Sequence, residues 1–135
     1  MCLTKTRIFP RLSQVPIKTY KILDIDIGNI SRTSNNFIFF TPFMFTKIEL
    51  NSMLKAKKTN ILEMFFFDFI CGCGVHSYIT LEDAKKHYDN YNQIIVECII
   101  PPHTLYWEGK DFGDVASRKL YLTNKIVYNE TFIKI

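Results

Sequence analysis

Polar and apolar positions along the chain predict many short strands and one helix. Leu81, Ala84, Tyr88 and Tyr91 recur at helical spacing, while Asp83, Lys85, Lys86 and Asp89 fall on the opposite side. Thr80 precedes them as an N-cap residue, and Glu82 and Asp83 place negative charge where a helix dipole favours it. The spacing therefore predicts a helix over about 81–91. Before it, Val75 to Ile79 reads as a short half-buried strand, entered from the Cys71-Gly72-Cys73-Gly74 turn, whose glycines would supply unusual backbone angles. Gln93 to Ile100, bounded by Asn-rich and Pro-rich turns, reads as a central strand. Ile17 to Ile27 alternates as a strand, with one slip near Leu23.

The rest is less regular. Residues 31–36 form a polar loop. Phe37, Phe39, Phe40, Phe43 and Phe45 are interrupted by Pro42, which predicts two short strands around a turn if they are core, or an apolar surface if they meet a partner. Asn51 to Asn60 reads as a short helix or a basic loop. Ile61 to Ile70, the most apolar ten residues, reads as a strand buried on both faces, with helix as the alternative. Thr104 to Trp107, Val115 to Leu122 and Lys125 to Tyr128 are further strands, the last two joined by a turn at Thr123-Asn124. Residues 1–16, with Pro10 and Pro16, read as a basic N-terminal arm, and 17–135 as a single α+β domain: a mostly antiparallel sheet of about six to eight short strands with one helix.

Composition narrows the function classes. At 135 residues, 47% hydrophobic and 22% charged, the chain is of ordinary globular make-up. Its apolar runs fall short of the ~20 residues that a membrane-spanning helix needs, and residues 1–16 lack the unbroken apolar core of a secretory signal. A cytoplasmic setting is the resulting expectation, and with it four reduced thiols at Cys2, Cys71, Cys73 and Cys98. The net charge of +4 is concentrated early: Lys5, Arg7, Arg11, Lys18 and Lys21 precede the first acid. Such an asymmetry steers acidic partners or merely solvates an arm. Nucleic-acid binding by this basic half is a weak reading, because the pI of about 8.9 is modest and no binding motif is present.

The stretch Cys71, Gly74, Val75, His76, Tyr78, Thr80, Glu82 and Ala84 resembles the signature C-x-x-G-[IV]-H-x-[FY]-x-T-x-E-x-A of a family of small uncharacterised domains of giant viruses, phages and bacteria. The resemblance covers about twenty residues and implies a fold but no settled activity. Separately, Ile99-Ile100-Pro101-Pro102 and Ala116-Ser117-Arg118 faintly resemble late strands of ADP-ribosyltransferase-like domains, which implies nucleotide binding by His76, Tyr78, Glu108 and Ser117.

Three chemistries follow. Cys71, Cys73 and His76 carry the donor types of a zinc site, completed by Cys98, His87 or His103, although Cys-x-Cys is not the usual zinc spacing and buried thiols are the plainer reading. His76 is the residue most readily given a function, against the commoner role of a hydrogen-bonded structural histidine. No convincing catalytic set appears, and neither a P-loop nor a dinucleotide fingerprint is present. The leading expectation is therefore a small non-enzymatic protein-binding module without cofactor, a viral or phage inhibitor or adaptor acting on a host protein. Its expected contacts are Phe37, Phe43, Phe45, Lys55, Lys57, Lys58, His76 and Trp107, since aromatic residues anchor interfaces.

Overall fold

The computed structural model of the chain describes residues 2–25, 39–41, 47–88 and 92–130. In order these hold β1 (Leu3–Thr4), β2 (Arg11–Leu12), β3 (Ile17–Ile25), β4 (Phe39–Phe40), β5 (Lys47–Ile48), β6 (Ser52–Lys55), α1 (Ile61–Phe65), β7 (Phe69–Ile70), β8 (Val75–Tyr78), α2 (Leu81–Lys86), β9 (Gln93–Ile100), β10 (Leu105–Glu108), β11 (Asp114–Ser117) and β12 (Lys119–Asn129). This corrects the expected α+β class. Twelve strands in two antiparallel sheets dominate the described residues, and both helices are short. The large sheet runs β2-β10-β11-β8-β3-β9-β12-β6, with β4 and β5 attached beside β3, and β1 pairs with β7 alone. No helix among the described residues is long and apolar enough to cross a membrane.

Continuity of the chain bends the sheet. β11 and β12 are separated only by Arg118, whose N–H donates to Leu105 O and whose carbonyl accepts from Ala56 N–H. The expected strand over 115–122 therefore breaks at Arg118. The expected turn at Thr123-Asn124 is instead a register shift within β12, where an irregularity opposite β9 absorbs the extra residues. Residues from both halves meet in one interior: Leu23, Ile94, Val96, Cys98, Ile100, Val115, Leu120 and Leu122, with Val75, Tyr106 and Leu54 against them.

Two further clusters cover the outer face. α2 lays Leu81, Ala84 and Tyr88 over Ile22, Tyr78 and Ile95, so the apolar stripe does what its spacing predicts. Thr80 caps the helix, its Oγ1 accepting from Asp83 N–H at 3.1 Å. The described helix stops at Lys86, with His87 as C-cap, rather than running to 91. The second cluster packs Leu3, Met64, Ile70, Cys73, Trp107 and Ala116 beneath α1 and the β1–β7 pair. Leu3–Thr4 and Arg11–Leu12, within the segment read as a basic arm, thus pair with β7 and β10 of the domain. Burial of both sheet faces along β3 explains the slip near Leu23: Ile22 points outward under α2 while Leu23 and Ile25 point inward.

Candidate functional site

The segment 61–70 is not the doubly buried strand expected but a short helix, α1, followed by the two-residue β7. Asn60 caps α1, its Oδ1 accepting from the N–H groups of Leu62 and Glu63, so the run begins as a helix and not as a strand. The helix then turns Glu63 and Met64 inward, with Glu63 only 7% exposed, while Ile61 is 63%, Leu62 53% and Phe66 62% exposed. Phe67 and Phe69 continue the surface with ring centroids 5.4 Å apart. Exposing this many large apolar groups close together is costly in water.

Two buried charges hold α1 this way round. The Glu63 carboxylate accepts from Cys71 N–H and, at 3.4 Å, from Cys73 N–H. Burial alone would raise its pKa, but these amides, with that of Gly72, outweigh burial and hold it below the ordinary value. Lys5 is buried too, and its Nζ donates to Glu63 O at 2.6 Å, Met64 O at 3.2 Å and Ile8 O at 3.1 Å, 5.7 Å from the centroid of the Trp107 ring. Lys5 thereby draws exposed Ile8 and Phe9 to the end of α1 and extends the apolar surface. Exposed cations lie on the chain segments around it: Arg7 and Arg11 on the N-terminal segment, Lys57 and Lys58 just before α1, and Lys110, whose N–H bonds Thr4 O. Asp68 is the exposed acid within it.

The expected contact residues fall in different places. Lys55, Lys57 and Lys58 are exposed. Phe37, Phe43 and Phe45 lie outside the described residues. Trp107 is 1% exposed beneath α1, with Nε1–H donating to Met64 O at 3.3 Å, so it supports the surface from below and does not reach its outside. His76 is half-buried on the outer face of β8. Its Nε2 lies 3.0 Å from Cys71 O, which assigns the ring proton to Nε2, and burial lowers its pKa.

The nucleotide set does not converge. His76 and Tyr78 share the outer face, where Tyr78 stacks on His87 at 4.9 Å, whereas Ser117 lies opposite Val75 on the inward face. Glu108 stands on β10 opposite Val115. The zinc set also differs from expectation: Cys71 is joined to Cys2 in a disulfide, leaving no thiolate there, and Cys73 is a buried thiol 3.7 Å from Asn60 O. Among the described residues no three His, Cys, Asp or Glu side chains gather as a metal would require. The glycines serve space and not angle. Neither Gly72 nor Gly74 has a positive φ, but a Cβ on Gly74 would stand 2.7 Å from Ala116 Cβ.

Sequence reasoning missed Glu63, Lys5 and Cys2 as fastening points and Ile61, Leu62 and Phe66 as exposed. Asn60 was the available signal, since a cap residue before an apolar run announces a helix. Neither a family model, nor a curated protein, nor a solved structure matches the chain.

Proposed function

We propose that the chain is a non-enzymatic protein-binding module, an adaptor or inhibitor, that docks through the α1 surface onto a protein presenting acidic side chains around an apolar seat. The observation that carries this reading is the inversion of α1, which buries its glutamate and exposes Ile61, Leu62 and Phe66. The partner's chemistry follows from the rim of Arg7, Arg11, Lys57, Lys58 and Lys110, which disfavours a basic partner or the same face of a second copy. A persistent Cys2–Cys71 disulfide favours a setting in which thiols oxidise over the reducing cytoplasm that composition suggested.

The test is the pair Leu62→Asp/Phe66→Asp. Proteins retained by the wild-type chain and lost by the variant are identified, purified and titrated against both chains. Removing two anchors worth roughly 2 kcal/mol each weakens binding by at least about 100-fold, and raised salt weakens the wild-type complex further. The melting temperature moves little, because both residues already face water. Unchanged affinity in the double variant would contradict the proposal.

A further inference from the structure

α2 occupies one end of the outer face of the large sheet. The outward residues Ile22 and Ile95, with Tyr20 beside them, pack with it. Farther along the same strands the outward positions are Lys18 on β3 and Ile99 on β9, and the register continues them through Tyr121 on β12 to Met53 on β6. These four stand directly opposite one another and make one row across four adjacent strands, roughly 14 Å long at ordinary strand spacing. Their neighbours Cys98, Leu120, Leu122 and Leu54 alternate to the interior. Ile99, Tyr121 and Met53 belong to none of the buried clusters: Ile99 and Tyr121 are half-buried, and Met53 is 40% exposed.

Lysines frame this apolar row. Lys55 and Lys119 pair in register one step along β6 and β12, on the same face as Met53 and Tyr121 and roughly 7 Å farther along each strand. Both are exposed, and among the described residues neither has an ion-pair partner. Like charges directly opposite in a ladder destabilise it, so this pair costs the fold stability that an anion between them would restore. On the other side the row meets Glu97, which shares its carboxylate between Lys18 at 3.7 Å and Lys125 at 3.3 Å. The register shift after Leu122 accompanies the return of Lys125 to that carboxylate. Four lysines and one carboxylate therefore surround a flat strip of Tyr121, Ile99 and Met53. Two of the lysines stand late in the chain, outside the early basic run, so the footprint assembles only in the fold.

We infer that this end of the sheet binds single-stranded nucleic acid, with a base laid on Tyr121 between Ile99 and Met53 and the flanking phosphates on Lys55, Lys119, Lys18 and Lys125. A base joins an apolar face to a phosphate at its edge, which is the alternation this surface presents. A flat sheet face offers no ridge to enter a duplex groove, and this favours an unpaired strand. An acidic protein would satisfy the lysines, but protein anchors gain most from closed pockets, whereas stacking needs only a level ring. The surface is distinct from α1, which packs with Trp107 and Ala116 of β10 and β11.

A dye-labelled oligothymidylate of about twelve nucleotides is the probe, titrated into the intact chain at low salt and followed by fluorescence anisotropy. Saturable binding is expected, and Tyr121→Ala should weaken it at least about fivefold by removing the stacking ring. Lys119→Glu should weaken it at least about tenfold and flatten the dependence of log affinity on log salt by about 0.7 or more. The same substitution faces Lys55 with an opposite charge, so the melting temperature is expected to hold or rise, which separates lost binding from lost folding. Arg7→Glu/Lys110→Glu, which changes net charge by twice as much at exposed positions elsewhere, and Leu62→Asp/Phe66→Asp on α1 should each stay within about threefold of wild type. Absence of saturable binding, wild-type affinity in Tyr121→Ala or Lys119→Glu, or an equal loss in Arg7→Glu/Lys110→Glu would each overturn the inference. So would displacement of the probe by polyglutamate as readily as by unlabelled oligothymidylate, which would make the face a seat for acidic protein.

Discussion

Breaking the Cys2–Cys71 disulfide is expected to lower the stability of the fold by about 4 kcal/mol on the chain-entropy model, given the 69-residue separation of the two cysteines. The geometry explains why the bond forms. Leu3 pairs with Ile70 in the β1–β7 ladder, so Cys2 and Cys71 are the next residues opposite one another, 4.3 Å apart at Cα. Without the cross-link, β1 is a two-residue strand held by the Leu3 and Lys5 side chains and by the backbone bonds of Thr4, Lys5 and Thr6. Urea unfolding of the Cys2→Ser/Cys71→Ser chain should show a lower midpoint, and the same shift should follow treatment of the wild type with a dithiol reductant. The reductant should leave the double-serine chain unchanged, because Cys73 and Cys98 are free thiols in the folded state. Identical midpoints for oxidised and reduced protein would show that the bond contributes nothing.

Replacing Lys5 with methionine is the second large effect, expected at about 3 kcal/mol. Methionine preserves most of the packing against Trp107, so the loss reports the ammonium itself. The carbonyls of Ile8 and Glu63 lose their Lys5 donor and Met64 O keeps only Trp107 Nε1–H, and charged hydrogen bonds of this kind are worth roughly 1.5–3 kcal/mol each before the relief of desolvation is set against them. The relief is real, since burial lowers the Lys5 pKa even with Glu63 and Asp68 raising it. Equilibrium unfolding measures the net change. A variant as stable as the wild type would mean that the segment 5–9 is held by Leu3 and the disulfide without it, and that Ile8 and Phe9 are not fixed beside α1.

Both fastenings bear on what could be read from the chain beforehand. Local signals were legible where one segment decides its own structure: Thr80 caps α2, the stripe Leu81, Ala84 and Tyr88 packs as spaced, and the dense aliphatic run of β9 sits inside the large sheet between β3 and β12. Long-range partners were not. Cys2 and Cys71 meet only because β1 pairs with β7, and the basic look of residues 1–21 concealed that Lys5 and Lys21 turn inward. The α+β expectation failed for a related reason. Strands of two residues, such as β1, β2, β4, β5 and β7, have too few positions to show alternation, so these five left no periodic trace and the strand content was underestimated. Apolar content misled at 61–70, where hydrophobicity was read as burial although only Met64 and Ile70 are buried beside Glu63 while Ile61, Leu62, Phe66, Phe67 and Phe69 face out. The exposed apolar surface was therefore hidden inside the segment that composition marked as core.

The orientation of α1 is the claim on which the docking surface rests, and thiol labelling measures it directly. Leu62→Cys, Met64→Cys and Phe66→Cys are each introduced into the otherwise unchanged chain and exposed to a maleimide under native conditions. The account predicts that thiols at 62 and 66 react within about tenfold of their unfolded rates, while the thiol at 64, whose parent side chain is 7% exposed beneath the helix, reacts at least about a thousandfold more slowly. Protection at 62 and 66 equal to that at 64 would mean that the apolar run is buried after all, and the surface proposed for docking would not exist.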